Sequence, residues 1–296
     1  MATPSALPGA GPEAADRFEL KISLGQWSLH KALQTGRLAA LDFPAYAKDR
    51  FGIAHVEYVN QFFPDKAEDG GFLAALKRRC DEHGVESVLL MVDGEGSLAD
   101  ADSGARKRTV ENHFKWVTAA ARLGCASIRV NLHGVDSPEE WQKLSIDSLT
   151  ELCAFGAAHR INILVENHGG LSSNGRLLAE VVRLVGSPYC GTLPDFGNFC
   201  LRREKGDLWE SPCVEEYDRY RGVEEMLPYA KGLSAKSKRF DSQGNETTID
   251  FQRMLGLAKA AGYRGYSGIE YEGEYLGEDE GILATLSLLE KIRPLL

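Results

Sequence analysis

The sequence contains no apolar run long enough for a membrane helix, since none approaches the ~20 residues that a bilayer span needs. It also has no excess of basic residues, because 34 Lys and Arg stand against 43 Asp and Glu for a net charge of −9. A phosphate backbone is repelled by such a chain unless a basic patch is segregated on one face, and we find none. We therefore expect neither a membrane nor a nucleic acid as a partner.

Cysteine is sparse and its spacing follows no familiar motif. The six cysteines are scattered without a CxxC pair, which speaks against a zinc knuckle and against a framework of disulfides. A reducing cytoplasm is therefore the expected location. Residues 1–18 are rich in Ala, Pro and Gly and lack the charged and apolar regions of a signal peptide. They predict a disordered lead-in before a single domain over residues 19–296.

Apolar, strand-like runs alternate with helical segments along the chain. Eight such runs occur, from LKISLGQWSL near the N-terminus to YSGIEYEGE near the C-terminus. The segments between them have apolar residues at helical spacing, and several end in glycine just before the next run. Eight βα units in a chain of 296 residues predict an α/β protein built as one (β/α)8 barrel. No GxGxxG follows the first run, so a dinucleotide-binding fold loses its main support.

The longest connection follows the sixth predicted strand and runs from LRREKGDLWE to EEMLPYAKG. It is polar and aromatic, and long connections in compact domains are usually functional. We expect it to lie over the barrel mouth, as a lid or as a dimer contact.

Polar side chains collect at the C-terminal ends of the predicted strands, where barrels of this kind carry their chemistry. Glu166, Asp195 and Glu270 lie at the ends of the fifth, sixth and eighth strands. Three carboxylates at one end of a barrel repel one another and raise their own pKa values unless a cation neutralises them. A divalent ion is the economical solution, and ion pairs with Lys236 or Arg129 are the alternative. Oxygen ligands favour Mn²⁺ or Mg²⁺. If an imidazole is also a ligand, Co²⁺ or Zn²⁺ can bind as well.

Other candidates lie at the same strand ends. His168 is two residues from Glu166 on an extended strand, so both side chains point to the same side. It can serve as a general acid, as a hydrogen-bond donor to substrate, as a metal ligand or as a cap for the loop backbone. Lys236 can polarise a substrate carbonyl or pair with Asp195. Aromatic residues near these ends favour a sugar or polyol as substrate. The residues expected to contact it are Trp27, Glu57, Arg129, Asn131, His133 and Asn198.

Three of these motifs resemble a known family. VEN on the fifth strand, PDFGN on the sixth and GIEYEG on the eighth are similar to the xylose isomerase-like TIM barrels, the sugar phosphate isomerases and epimerases. The resemblance spans about residues 20–294. It implies a small carbohydrate substrate, frequent homo-oligomers, and a divalent ion held by Glu, Asp, His and Glu from the last four strands. Carried over, Glu166, Asp195 and Glu270 take the first, second and fourth of these roles, and the two glutamates also move protons.

The sequence departs from that family pattern at two positions. The seventh predicted strand reads LSAKS, so Ser234 stands where the family usually has histidine. All seven histidines lie at or before residue 168, so no later strand can supply an imidazole. Either three carboxylates hold the ion with water, Ser234 or substrate, or His168 moves in as a nitrogen ligand. The second departure is Asn198, where the epimerases often have a substrate-contacting histidine.

Carbon-acid chemistry at such a site predicts two related reactions. A base removes the proton next to a carbonyl, and a divalent ion lowers the barrier by stabilising the negative charge that develops. With Glu166 and Glu270 as the acid/base pair, return of the proton isomerises or epimerises a keto-sugar or a polyol-derived ketone. One base with an acid that protonates a departing group gives elimination instead. A lyase or dehydratase acting on a keto-sugar or keto-glycoside is therefore the alternative.

The sequence gives less support to two further functions. An endonuclease IV-like nuclease needs imidazole ligands from the later strands and a basic DNA groove, and the sequence has neither. A barrel that only binds a sugar has no need of three carboxylates at one end.

Overall fold

The computed structural model describes residues 18–296, so the predicted lead-in lies, up to residue 17, outside the described residues. The strands are β1 (Lys21–Gly25), β2 (His55–Val59), β3 (Glu86–Met91), β4 (Ser127–Val130), β5 (Asn162–Glu166), β6 (Cys190–Leu193), β7 (Cys200–Arg203), β8 (Cys213–Glu216), β9 (Leu233–Ser237) and β10 (Tyr266–Tyr271). The helices are α1 (His30–Gln34), α2 (Phe43–Phe51), α3 (Gly70–His83), α4 (Ser103–Leu123), α5 (Pro138–His159), α6 (Gly175–Val185), α7 (Arg219–Met226), α8 (Phe251–Ala260) and α9 (Glu278–Ile292).

Eight of the strands form one parallel sheet in the order β6-β5-β4-β3-β2-β1-β10-β9. Its two edges meet through bridges that pair Thr192 with Ala230 and Asp195 with Ser234, so the sheet curls into a nearly closed barrel. The predicted (β/α)8 barrel is thereby confirmed, and the seventh and eighth predicted strands are β9 and β10. Across residues 18–296, no helix is both long and apolar enough to cross a membrane.

Local signals in the sequence set the lengths of the helices between strands. The Asp69 carboxylate accepts a hydrogen bond from the Phe72 N–H and so caps the start of α3, which ends at Gly84 in the left-handed conformation (φ 61°). Helix α4 begins after the capping residue Asp102 and ends at left-handed Gly124 (φ 83°). Each helix therefore stops where the chain must turn back into the next strand.

The apolar residues form two clusters. The larger one includes the fully buried Trp116 and Trp141 and packs the helices against the barrel. The smaller one, which we call the inner cluster, packs against Trp27 and Phe62. Its members are Val59, Leu89, Met91, Leu164 and Leu193. They come from four different barrel strands, so they fill the barrel interior next to the polar strand ends.

The long connection after β6 contains structure that the sequence does not predict. Strands β7 and β8 pair antiparallel and form a hairpin outside the barrel sheet. A disulfide joins Cys200 to Cys213 across this hairpin, at a sequence separation of 13 residues. The expectation that the cysteines form no disulfide is therefore wrong for this pair. Its spacing matches no motif, and only the pairing of β7 with β8 brings the two residues together.

Candidate active site

A cavity of about 620 Å³ opens at the C-terminal ends of the barrel strands. Its volume falls within the roughly 300–1,000 Å³ that is usual for small-molecule sites. The residues predicted for the site that line it are Trp27, Arg129, Asn131, His133, His168, Asn198, Lys236 and Glu270. Four others are buried and lie outside the cavity wall, namely Glu57, Glu166, Asp195 and Ser234.

Three buried carboxylates, which we call the carboxylate cluster, meet at this end of the barrel: Glu166, Asp195 and Glu270. Glu166 and Asp195 each follow an inner-cluster leucine, Leu164 and Leu193, by two residues, so strand alternation turns them into the barrel. One oxygen from each carboxylate lies within 4.8 Å of the others. The structure thus brings together the three carboxylates that the sequence nominates as metal ligands.

Arg129 connects the carboxylate cluster to a further acid. Its Nε lies 2.8 Å from Oε2 of Glu166, and its Nη1 donates to Oδ1 of Asp93 at 2.5 Å. All three side chains are largely buried. Coulombic attraction to Arg129, with hydrogen bonds from Arg129 and Asn131, lowers the pKa of Asp93 despite the opposing effect of burial. Asp93 is therefore ionised and holds Arg129 in place.

Lys236 is the second buried cation of the site. Its Nζ lies 3.0 Å from Glu270, 3.0 Å from Glu272 and 3.8 Å from Asp195. The predicted pairing with Asp195 is thus present but longer than the contacts to the two glutamates. Both the ion pairs and the carboxylate cluster occur, and five carboxylates share two cations. With all five carboxylates ionised, the local charge would be negative.

Ser234, which stands where the resemblance implies a histidine, lies beside two acids of the carboxylate cluster. Its hydroxyl oxygen lies 2.6 Å from Oδ2 of Asp195 and 2.8 Å from Oε2 of Glu270. A serine hydroxyl carries one proton, so it can donate to only one of these carboxylates at a time. The other short contact between oxygens requires a second proton or a cation.

The pKa values of the glutamates in the carboxylate cluster reflect the same shortage of positive charge. Burial raises the pKa of Glu166 well above its usual range, Arg129 opposes the rise, and the neighbouring Glu270 and Asp195 add to it. Burial also raises the pKa of Glu270, with Lys236 opposing. A proton or a metal cation is therefore favoured among these side chains.

His168 lies beside the cluster and outside it. Its ring packs on Trp209, with centroids 4.4 Å apart, and faces the His133 ring at 5.9 Å. Within the described chain, its Nδ1 is buried and has no hydrogen-bond partner. Burial lowers the pKa of His168 well below its usual value, so the ring is neutral. The backbone of His168 makes the loop contacts, since its N–H donates to Ser172 and its carbonyl accepts from His133.

The side-chain amides and the indole at the cavity wall donate hydrogen bonds to carboxylates. Asn198 donates to Glu166 at 3.2 Å, Asn131 to Asp93 at 2.7 Å, and the Trp27 indole N–H to Glu272 at 2.6 Å. These side chains therefore orient the acids of the site and line the cavity as well.

Glu57 lies deeper in the barrel than the other predicted residues. Its carboxylate accepts a hydrogen bond from Ser23 at 2.5 Å and fills the space in front of Gly268, where a Cβ would lie 2.6 Å from Oε2. Burial raises the pKa of Glu57 to about 7, and the negative charge of Glu270 contributes. Glu57 is placed to influence Glu270 rather than to contact a ligand in the cavity.

The cavity also contains residues that are not among those selected from the sequence. Asp93 ends the third predicted strand and Glu272 lies with Glu270 at the end of the eighth, so the strand-end rule places both at the end of the barrel that holds the carboxylate cluster. Arg203 and Trp209 line the cavity from the hairpin. No signal in the sequence identifies these two, because their position depends on the pairing of β7 with β8.

Several solved structures share this fold at low sequence identity. A D-tagatose 3-epimerase-like protein has a TM-score of 0.69 at 17% identity, over 93% of this chain and 98% of that chain. The IOLI protein with a bound zinc atom has a TM-score of 0.68 at 15% identity, over 93% and 99%. A 3-keto-D-glucoside 4-epimerase from E. coli has a TM-score of 0.64 at 14% identity, over 92% and 100%. At such identities the likeness establishes the fold alone.

The family is established by sequence. No curated protein matches the chain. The family model of the xylose isomerase-like TIM barrel matches residues 45–292, a span that runs from α2 to the end of α9 and contains the whole carboxylate cluster. The resemblance carried by the VEN, PDFGN and GIEYEG motifs is thereby confirmed, and the chain belongs to the xylose isomerase-like TIM barrel family.

Proposed function

We propose that the chain is a divalent-metal-dependent isomerase or epimerase that acts on a keto-sugar or on a polyol-derived ketone. The observation that carries the proposal is the carboxylate cluster, three buried acids within 4.8 Å at the end of the barrel where this fold places its chemistry. Membership of the family supports a small carbohydrate as substrate. Two proteins of similar fold bear the names of an epimerase and of an epimerase-like protein.

The residues present fit a divalent ion in charge and in donor type. Five carboxylates share two cations, which leaves negative charge for a cation to neutralise. The carboxylate cluster would hold the ion, with Ser234 as a further oxygen donor. Because all these donors are oxygens, Mn²⁺ or Mg²⁺ suits the site better than Zn²⁺ or Co²⁺. Once bound, the ion would stabilise negative charge on the substrate oxygens.

Glu166 and Glu270 are the proton-transferring pair in this proposal. Their pKa values are raised by burial, which brings carboxylic acids toward the range where they exchange protons at neutral pH. One carboxylate removes the proton next to the carbonyl, and the other returns a proton to the substrate. The contacts of Glu166 with Arg129 and of Glu270 with Lys236 favour the ionised forms and fix the orientation of each side chain.

Elimination is the second candidate, and the position of Lys236 favours it. Its ammonium lines the cavity and is shared by Glu270 and Glu272. A cation at that point can hydrogen-bond to a departing hydroxyl or alkoxide while a glutamate removes the proton. A lyase or dehydratase of a keto-sugar or keto-glycoside would thus use the same side chains.

The test combines metal binding with proton exchange. Calorimetric titration with Mn²⁺, Mg²⁺ and Zn²⁺ should give one site in the wild type and none in Glu166→Gln or Asp195→Asn. Glu111→Gln, which removes an exposed carboxylate of α4, is the matched control and should bind metal like the wild type.

The reaction is followed by proton NMR in D₂O with Mn²⁺ and a panel of keto-sugars. Deuterium at a retained carbon centre indicates isomerisation or epimerisation, whereas loss of water or of an aglycone indicates elimination. Unchanged metal binding and activity in both carboxylate variants would contradict the proposal.

A cytoplasmic location and a homo-oligomeric state remain predictions of the sequence. The Cys200–Cys213 disulfide counts against a strongly reducing compartment, because such bonds persist mainly where conditions are oxidising.

A further inference from the structure

Trp209 differs from the other tryptophans of the chain. Trp27, Trp116 and Trp141 each donate their indole N–H to a carboxylate or a backbone carbonyl. Trp209 has no such partner within residues 18–296, and its side chain is 46% exposed at the cavity wall. Trp209 therefore presents an indole face at the cavity wall that no hydrogen bond to the described residues holds in use.

The position of Trp209 is fixed by the hairpin that carries it. Arg203 donates to the carbonyl oxygens of Leu208 and Ser211, both at 2.7 Å, and its guanidinium lies 5.9 Å from the Trp209 ring. Asp207 accepts hydrogen bonds from the backbone N–H groups of the two residues that follow Trp209. The Cys200–Cys213 disulfide ties the two strands together. Trp209 is therefore held in one place by the surrounding turn.

His168 completes a notch with Trp209. The two rings are 4.4 Å apart and tilted by 52°, so they present two aromatic faces at an angle. The indole ring also packs over Gly169, where a Cβ would lie only 3.4 Å from it. Nδ1 of His168 is buried and unpaired within the described part of the chain. The notch thus offers two aromatic faces for stacking.

The notch shares one cavity with the side chains that would surround the reacting sugar. Lys236, Glu270 and Glu272 are these side chains, and Trp27 is fixed beside them by its bond to Glu272. His168 is not a member of the carboxylate cluster. A cavity of about 620 Å³ is large for a single six-carbon sugar and has room for a second ring.

We propose that the notch between Trp209 and His168 is a subsite for an aromatic aglycone, so that the substrate is an aryl keto-glycoside rather than a free keto-sugar. A flat ring stacks on the indole with its edge toward the imidazole, which is a favoured arrangement of aromatic groups. This inference rests on the proposed function for the identity of the reacting group, but the subsite is tested by binding alone.

The test compares phenyl D-glucoside with methyl D-glucoside, both anomers of each, by calorimetric and ligand-observed NMR titration in the presence of Mn²⁺. In the wild type the phenyl glycoside should bind about tenfold more tightly, since stacking adds roughly 0.5–1.5 kcal/mol beyond the apolar area buried and tenfold is 1.4 kcal/mol. In Trp209→Ala that preference should fall below about twofold, and Trp209→Phe should keep part of it. Tyr275→Ala, at an exposed aromatic outside the cavity, should keep it in full.

Equal affinity for both glycosides, absence of binding, or a preference that survives in Trp209→Ala would overturn the inference. The Mn²⁺ affinity of Trp209→Ala, measured in the same samples, should equal that of the wild type. If Mn²⁺ fails to bind while the phenyl preference holds, the proposed function is wrong and the subsite stands.

Discussion

The carboxylate cluster, of which only Glu270 lines the cavity, and the β7–β8 hairpin lie at the same end of the barrel but are built in different ways. The cluster lies on barrel strands, is buried, and has every acid held by Arg129, Lys236 or Ser234. The hairpin lies outside the barrel and leaves Trp209 and Val214 about half exposed. Under the proposed function, the barrel would supply the reacting groups and a separate loop structure would shape what reaches them. Variation in substrate is expected to come from the hairpin rather than from the strands.

The largest effect is expected from removing the cation of the cluster. Lys236→Met leaves Asp195, Glu270 and Glu272 without their shared partner, and breaking a buried ion pair costs about 3–5 kcal/mol. We expect the free energy of unfolding in denaturant to fall by that order. Mn²⁺ should restore more stability to the variant than it adds to the wild type, because the metal would neutralise the same charges.

Lys238→Met is the matched control, since Lys238 lines the same cavity but is exposed. It should change the free energy of unfolding little. An unchanged stability of Lys236→Met without metal would show that the carboxylates are neutralised by protons alone.

The second effect is a pH dependence of the free energy of unfolding, and it comes from Glu57, which lies deeper in the barrel than the carboxylate cluster. Burial raises the pKa of Glu57 to about 7 in the folded protein, above its value of about 4.3 in an unfolded chain. A carboxyl group whose pKa is higher in the folded state than in the unfolded chain stabilises the fold at low pH. This contribution is lost as the pH rises from about 4.5 to 7. The wild type should therefore lose up to about 3 kcal/mol relative to Glu57→Gln over that interval. If the free energies of unfolding of the wild type and of Glu57→Gln change with pH in the same way, Glu57 does not have a raised pKa.

The third effect concerns the absent imidazole. Ser234→His places a nitrogen donor beside Asp195 and Glu270, where the family pattern has one. Imidazole ligands suit Zn²⁺ better than Mg²⁺, so we expect the Zn²⁺ affinity to rise about tenfold and the Mg²⁺ affinity to fall. Ser234→Ala separates the loss of the hydroxyl from the gain of the ring, and calorimetric titration measures both. A Zn²⁺ affinity equal to that of Ser234→Ala would mean that the new ring does not reach the ion.

The smallest effect on the whole fold should come from the disulfide of the hairpin. Cys213→Ser removes the covalent tie between β7 and β8, which lie outside the barrel sheet. The hairpin can then open locally without unfolding the barrel. Limited proteolysis should cut within residues 204–212 faster than in the wild type, while the thermal midpoint of the barrel hardly moves. A large drop in that midpoint would show that the hairpin is part of the cooperative core.

The sequence predicts the cluster well because its signals are local. Strand alternation and the position of each acid at a strand end suffice to bring Glu166, Asp195 and Glu270 together, once a barrel is assumed. The same rule would have identified Asp93. It could not reveal that Arg129 is shared by Asp93 and Glu166, since that depends on distances across three strands.

The hairpin escapes prediction because its signals are not local. Its strands are four residues each, and β8 is exposed along its whole length, so neither has the apolar pattern of a barrel strand. The disulfide and the packing of Trp209 on His168 fix it in place. The first joins two cysteines whose spacing matches no motif, and the second joins the hairpin to the loop after β5. Its general location beside the cavity follows from the length of the connection, whereas its structure does not.

The most direct test of the account is a crystal structure of the protein grown with Mn²⁺, with anomalous scattering used to locate the ion. We expect one strong anomalous peak bounded by the carboxylates of Glu166, Asp195 and Glu270, and no such peak in crystals of Asp195→Asn. Wild-type crystals with no peak at the cluster, and with Lys236 still paired with Glu270, would contradict it.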